Sequence, residues 1–170
     1  SQGNFFDHRD QNNVFENMAA YSFVRPNLAE PGEPAERLQA INATSDFFSV
    51  LGVQPVMGRT FTPEEHEPGA DGVAVITDRF WITRFGSDPG VLGRTLRLDG
   101  KDVQIVGVMP PSFEHPLLWG TVDLWRPLAF NAEQRRNRGN NWLRSVGRLK
   151  PGVSIEQAEE AMVVLAANLA

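Results

Sequence analysis

Residues 44–111 contain the most informative succession of local structural signals in this sequence. It contains, in order, the segments TSDFFSVLG (residues 44–52), GRTFTPEE (58–65), GRTLRLDG (93–100) and VGVMP (106–110). The first two segments carry helix starts, because Ser45 is a good N-cap and Thr62 can form a capping box with Glu65. The third segment ends in the pair Asp99-Gly100, and the fourth ends the apolar run that follows it, which predicts a hairpin with a type I′ turn. This order predicts short alternating elements and contains no catalytic constellation.

Between these segments the apolar pattern predicts further elements of the same core. Residues 73–76 read VAVI and predict a short buried strand, and residues 78–85 predict a helix closed by Gly86. Residues 103–108 are apolar on both faces, which favours a central strand. Residues 123–128 predict another short strand.

The flanking sequence supplies a hairpin on one side and a solvated segment on the other. Residues 20–25 and 36–43 read as strands separated by EPGEP at 30–34, a turn with two prolines and a glycine. Residues 4–13 are expected to form a surface helix with Phe5 and Phe6 facing inward. Residues 131–138 form a solvated helix or loop with Asn131 and Gln134 as a cap pair, and 142–149 form a strand.

The last element has the strongest helical pattern in the chain. Ser154 and Gln157 are spaced as a capping box. Apolar residues then repeat at helical spacing and predict a buried stripe: Ile155, Ala158, Met162, Leu165 and Leu169. Helices and strands are interleaved but hairpins are frequent, so the predicted class is α+β rather than a doubly wound parallel sheet.

Composition narrows the class of function. The 170 residues, 41% apolar and 22% charged, are sufficient for one globular domain or two small lobes. A net charge of -5 argues against nucleic acid and anionic membrane surfaces as main partners. The absence of cysteine excludes disulfides and thiolate metal sites. The longest apolar run, residues 161–167, is far shorter than the roughly 18 residues that a membrane span needs. A first residue other than Met suggests a piece excised from a longer protein, although processing or a tag would look the same.

Catalytic and metal-binding patterns are weak. The three histidines are His8, His66 and His115. His8 and His66 lie among carboxylates, but Arg9 interrupts the first group and helix-start chemistry explains the second, so neither pattern favours a metal site. The sequence lacks a G-x-S-x-G nucleophile motif and the Lys-Ser/Thr of a P-loop. We therefore expect no catalytic residues, no cofactor and no metal.

Two features remain as candidate partner contacts. A basic concentration comprises Arg135, Arg136, Arg138, Arg144, Arg148 and Lys150. This basic concentration indicates either a solvated face or a rim that contacts an acidic partner or lipid head groups. Trp119 lies in the apolar loop PLLWG at 116–120, which either covers the core or contacts a partner. The candidate contact residues are therefore Trp119, Arg135, Arg136 and Arg138.

Taken in order along nearly the whole chain, these segments resemble one family, the MacB-like periplasmic core domain of FtsX-like ABC transporter permeases. The matching segments are 10–12, 15–21, 47–52, 58–62, 84–89, 93–100, 106–113, 123–125 and 146–153. The resemblance implies one domain over residues 1–170. Within it, a porter-like βαβ lobe covers 1–43 and 121–170, and a smaller β-rich lobe is inserted at 44–120.

The resemblance also implies a function. Such a domain follows the first transmembrane helix of a permease and faces the periplasm at the bacterial inner membrane. Family members are dimeric and couple the hydrolysis of ATP by a fused or separate ATPase to movement of this domain, called mechanotransmission, in efflux or lipoprotein handling. A periplasmic adaptor is a further expected partner. The alternative is a free-standing secreted domain that binds peptide or glycan, and an enzyme is a distant third.

Overall fold

A computed structural model describes residues 1–114, 120–136, 139 and 142–168. The helices are α1 (Gln2–Gln11), α2 (Phe47–Leu51), α3 (Asp78–Phe85), α4 (Ala132–Arg136) and α5 (Ile155–Asn168). The strands are β1 (Phe15–Val24), β2 (Asn27–Leu28), β3 (Glu36–Arg37), β4 (Ala40–Ala43), β5 (Met57–Gly58), β6 (Val73–Ile76), β7 (Thr95–Leu98), β8 (Lys101–Val108), β9 (Leu124–Pro127) and β10 (Arg144–Leu149).

One mixed sheet joins the strands in the order β10-β1-β4-β9-β6-β8-β7-β2-β3, and β5 pairs with β8. The pairs β4–β9 and β6–β8 are parallel, while the other described pairs, including the central pair β6–β9, are antiparallel. Parallel and antiparallel pairs in one sheet, with helices packed beside it, confirm the predicted α+β class. The division into two lobes stays a prediction.

The β7–β8 hairpin forms as the sequence predicts. Asp99 and Gly100 both have positive φ, 49° and 77°, as a type I′ turn requires. Leu98 pairs with Lys101 across this turn. Leu96 and Ile105 are completely inaccessible to solvent, and β8 lies between β6 and β7, so the expectation of a central strand is confirmed.

Helix α3 also has its predicted bounds, because both ends carry caps. The Thr77 hydroxyl accepts a hydrogen bond from the N–H of Phe80 at 3.1 Å. Gly86 adopts the left-handed conformation that ends the helix. At the other predicted start the N–H of Thr62 donates to the Glu65 carboxylate at 2.9 Å, but the element is one turn of 3-10 helix, Pro63–His66.

Two sequence predictions about strand and helix boundaries were wrong. The single strand predicted over 36–43 is divided into β3 and β4, because the N–H of Leu38 donates to the Pro26 carbonyl and that of Gln39 to the Asp123 carboxylate. Only β4 pairs with β1, and β3 pairs with β2. Helix α2 is preceded by Asp46 rather than capped by Ser45.

The buried residues form three clusters. One surrounds Trp125, whose ring centroid lies 5.2 Å from that of Phe113 and 5.8 Å from that of Phe48. A second lies around the β6–β8 strands and the inner face of α3. The third, smaller cluster packs Phe5 of α1 against Met18 and Ala20 of β1, which confirms that α1 turns Phe5 inward.

Helix α5 forms with its predicted cap but does not bury its predicted stripe. Ser154 and Gln157 make the reciprocal capping hydrogen bonds at 2.9 and 3.2 Å. Within the described part of α5 only Ala158 is buried, and Leu169 lies outside the described residues. Ile155, Val163 and Val164 are 65%, 69% and 61% exposed. The apolar repeat is thus present, but the described residues cover little of it.

A stability measurement checks this arrangement of α5. Because Leu165 is only partly buried, Leu165→Ala should lower the free energy of unfolding by less than about 2 kcal/mol, the lower end for a leucine in a packed core. Urea denaturation followed by circular dichroism measures the change. A loss above this value would show that α5 packs against the domain more fully than it does here.

Candidate partner-contact site

The structure places two of the four predicted contact residues. Arg135 and Arg136 lie on α4, and both are exposed. Trp119 and Arg138 fall outside the described residues, so their roles stay predictions. His115 also falls outside them.

Helix α4 is short but capped at its start. The N–H of Asn131 donates to Gln134 Oε1 at 2.9 Å, and the N–H of Gln134 donates to Asn131 Oδ1 at 2.8 Å. This confirms the predicted cap pair. The reciprocal bonds fix the first turn, so the two arginines that follow are presented from an ordered element.

Arg135 is held over an aromatic ring that belongs to α1. Its guanidinium carbon lies 5.4 Å from the ring centroid of Phe6, and its Nε donates to the Phe130 carbonyl at 3.3 Å. Arg9 approaches the same Phe6 ring at 5.1 Å. Two guanidinium groups therefore share one aromatic ring, and each contact contributes roughly 0.5–1 kcal/mol at an exposed site.

These side chains line a pocket of about 170 Å³ where α1, α4 and the Pro63–His66 turn meet. Its walls carry both signs of charge, with Arg9 and Arg135 facing Asp46 and Glu67. The Arg135–Glu67 ion pair is long, 3.9 Å, and both side chains are largely exposed. Such a pair contributes little to stability, so Arg135 can exchange this partner for another carboxylate.

His66 closes the inner side of this pocket. Its Nδ1 lies 3.2 Å from the Leu128 carbonyl oxygen, and because a carbonyl only accepts, Nδ1 carries the hydrogen. The other ring nitrogen, Nε2, is buried and has no hydrogen-bond partner in the described part of the chain. Burial lowers the pKa of His66, and this outweighs the opposing effects of the Leu128 carbonyl and the nearby carboxylates of Glu65, Asp46 and Glu67.

This lowered pKa predicts a pH dependence of stability. At about pH 7.5 and above, the ring is almost entirely uncharged in both the folded and the unfolded state. As the pH falls below 6.5, its ordinary pKa, the unfolded chain takes up a proton that the folded chain resists, so stability is lost until the pH passes the folded pKa. The urea midpoint of unfolding should therefore be lower at about pH 5.5 than at about pH 7.5. This decrease should be smaller in His66→Gln than in the unchanged protein. If the urea midpoint changes equally with pH in the two proteins, the assignment of this effect to His66 is contradicted. His8 is present in both proteins, so its own effect does not alter the comparison.

The other described members of the predicted basic concentration lie on or beside β10. Arg144 and Arg148 are on β10, and Lys150 follows it directly. Arg144 lies 5.1 Å from the ring centroid of Phe23, and Arg148 donates from Nε to the Val50 carbonyl at 3.0 Å. The structure thus divides the predicted basic concentration into one group on α4 and another at β10.

Sequence reasoning did not find Arg9, Phe6 or His66 as neighbours of Arg135. The sequence placed Phe6 on the inward face of a helix, but nothing in it indicated that residue 6 meets residue 135. The described ranges contain no group of three or more metal-ligating side chains. They also contain no helix that is both long and apolar enough to cross a bilayer.

Comparison with known proteins gives the family. The model of the MacB-like periplasmic core domain matches residues 5–165. No protein of curated function matches the chain.

Solved structures share the fold. The periplasmic region of MacB from Actinobacillus actinomycetemcomitans superposes with a TM-score of 0.71 at 15% identity, over 99% of this chain and 72% of that chain. The extracellular domain of the noncanonic ABC-type transporter YknZ from Gram-positive bacteria gives 0.64 at 18% identity, over 99% and 82%. The resemblance seen in the sequence is confirmed, and this chain belongs to the family of MacB-like periplasmic core domains.

Proposed function

We propose that this domain is a non-catalytic, extracytoplasmic module of an ABC transporter permease that transmits conformational change and contacts partner proteins in efflux or lipoprotein transport. The observation that carries the proposal is the family match over residues 5–165. In this proposal the domain stands at the periplasmic face of the bacterial inner membrane. Its partners are a second permease copy, an ATPase that is fused or separate, and a periplasmic adaptor.

The continuous sheet supports a role in transmission. Backbone hydrogen bonds link β10 to β3 through every intervening strand, so a displacement at one end is carried by a stiff element rather than by loops. We further propose the division into a porter-like lobe, 1–43 and 121–170, and an insert, 44–120. Residues 27–37 contact the proposed insert, because Leu28 of β2 pairs with Leu98 of β7.

The contact site in this proposal is the α4 rim, defined as Arg135 and Arg136 with the predicted neighbours Trp119 and Arg138. Arg136 is exposed and makes no ion pair with any described residue. Among the described residues Arg135 forms an ion pair only with Glu67, at 3.9 Å. Cations that lack strong internal partners suit an acidic protein surface, where they determine association rate and orientation.

The experiment uses the intact permease with its ATPase in liposomes. Arg136→Glu should reduce transport while basal ATP hydrolysis and the urea midpoint of the domain stay unchanged. The matched control is Arg37→Glu, another exposed arginine without an ion pair in the described residues, on β3 at the far end of the sheet. Equal transport by the two variants would contradict the proposal that the α4 rim is a contact site. Transport that survives replacement of the whole domain by a linker would contradict the proposed function.

A further inference from the structure

The pocket of about 170 Å³ beside α4 is built where separate parts of the chain converge. Its walls come from α1, the segment just before α2, the Pro63–His66 turn, the segment after β9, and α4. Pockets for drug-sized ligands measure roughly 300–1,000 Å³, so this one accepts only a smaller molecule. The charged side chains that line it are two arginines and two carboxylates: Arg9, Arg135, Asp46 and Glu67.

Both arginines keep hydrogen-bond donors unused. Arg9 donates from Nε to Asp10 at 2.8 Å, and Arg135 donates from Nε to the Phe130 carbonyl at 3.3 Å. Their terminal nitrogens make no hydrogen bond with any described residue. Both guanidinium groups also lie over the Phe6 ring. Because this contact orders them beside the pocket, they can bind an anionic group through the terminal nitrogens.

The two carboxylates are also weakly paired. Among the described residues the Asp46 side chain forms no ion pair and no helix-capping hydrogen bond. In the same part of the chain Glu67 pairs only with Arg135, at 3.9 Å. Burial lowers the pKa of His66, while Asp46 and Glu67 are among the groups that act to raise it, so both carboxylates lie on the His66 side of the pocket. A positively charged group therefore also has partners here.

These charges determine which class of ligand fits. A simple anion that approaches Arg9 and Arg135 is repelled by Asp46 and Glu67, and a simple cation is repelled by the two arginines. A zwitterion, with an anionic group and an ammonium group a short distance apart, satisfies both pairs of side chains at once. The pocket is therefore more complementary to a small zwitterion than to an isolated carboxylate or amine.

The uncharged part of the wall supplies apolar contacts and a hydroxyl group. Phe6 and Phe130 pack edge to face with ring centroids 5.6 Å apart, and Leu128 lines the same pocket. Thr44 Oγ1 accepts the N–H of Ala20 at 3.0 Å, and no described acceptor takes its hydroxyl hydrogen. Such a wall suits the short carbon skeleton of a small zwitterion, with one further donor for its anionic group.

We propose that this pocket binds a small zwitterion, whose anionic group is held by Arg9 and Arg135 and whose ammonium group is held by Asp46 and Glu67. The inference goes beyond the proposed function and does not rest on it, because the site lies entirely within residues 1–170. A free α-amino acid and the phosphoethanolamine of a lipid head group share this chemistry. The experiment distinguishes these two sources.

Amide chemical shifts of the 170-residue chain test the proposal with four probes. L-Alanine and glycerophosphoethanolamine are zwitterions, whereas N-acetyl-L-alanine lacks the ammonium group and L-alaninamide lacks the carboxylate. At least one zwitterion should shift the amide resonances of Ser45, Asp46 and Glu67 and reach saturation by about 20 mM. The two singly charged probes should bind at least about tenfold more weakly, because each leaves one pair of side chains without a partner. The zwitterion that binds more tightly identifies the source.

Variants of the charged residues test which groups hold the ligand. Asp46→Asn and Arg9→Gln should each weaken binding of the zwitterion at least about tenfold, because each removes one charged partner. The matched control is Arg136→Gln, since Arg136 lies beside Arg135 on α4 but does not line the pocket. This control should bind the zwitterion as the unchanged chain does. Resonances far from the pocket that keep their positions show that each variant is folded.

Several outcomes overturn the proposal. If neither zwitterion produces saturable shifts, the pocket is not a ligand site. Equal binding of N-acetyl-L-alanine assigns the pocket to a carboxylate alone, such as an acidic side chain of a partner protein, and equal binding of L-alaninamide assigns it to a cation. Binding that both Asp46→Asn and Arg9→Gln leave unchanged takes place elsewhere on the chain. Transport is not part of this measurement, so its result is independent of the proposed function.

Discussion

Replacing Trp125 with alanine should lower the free energy of unfolding by about 3–5 kcal/mol, the range for a large aromatic removed from a packed core. Trp125 lies on β9 at the centre of the sheet and is 1% exposed. Its ring contacts those of Phe48 and Phe113. An alanine would leave a cavity between β9 and these rings that the surrounding backbone cannot fill. Such a loss is a large part of the 5–15 kcal/mol typical of a domain.

Urea denaturation followed by far-ultraviolet circular dichroism measures this effect without relying on tryptophan emission. The matched control is Trp142→Ala, because Trp142 is 43% exposed and should cost much less. Similar losses for both tryptophans would contradict the placement of the core around Trp125.

Gly58→Ala should destabilise the domain by about 2–5 kcal/mol. Gly58 has a φ of 70° and pairs with Gly107, where β5 meets β8. A methyl group there would overlap the Val106 carbonyl oxygen and approach Leu92 Cδ2 at 2.9 Å. The left-handed backbone costs an alanine about 1–2 kcal/mol, and overpacking adds about 1–3 kcal/mol.

Gly100→Ala separates these two contributions. Gly100 has a φ of 77°, but nothing lies within 4 Å of the position that its methyl group would occupy. Because no described atom approaches that position, this variant should show only the backbone cost, about 1–2 kcal/mol. Gly58→Ala should then be clearly the more destabilised of the two in urea. Equal losses would mean that β5 does not approach β8 as closely as described.

Local features of the fold could be predicted from the sequence because their causes are local. The turn at Asp99-Gly100 requires two residues that accept positive φ, and the sequence supplies them in place. The end of α3 at Gly86 and the caps before α4 and α5 follow from the same kind of short-range chemistry.

Long-range pairing could not be predicted in this way. The parallel pair of β4 with β9 joins Ala40 to Leu124, and no periodicity within either segment specifies its partner. The same limit hid the candidate site, where Phe6 and Arg135 meet only because α1 and α4 lie side by side. The stripe of α5 shows a second limit, since its apolar repeat predicts a buried face, whereas only Ala158 is buried in the described part of the helix.

If this domain transmits conformational change, the distance between its two copies in the intact, reconstituted permease must depend on the bound nucleotide. The chain contains no cysteine, so Thr83→Cys, on the exposed face of α3, gives one spin-label site per domain. Double electron–electron resonance should detect a distance between the two copies that shifts when ATP is bound and returns after hydrolysis. A distance that is the same in both nucleotide states, in liposomes that still transport, would contradict the proposal that this domain transmits conformational change.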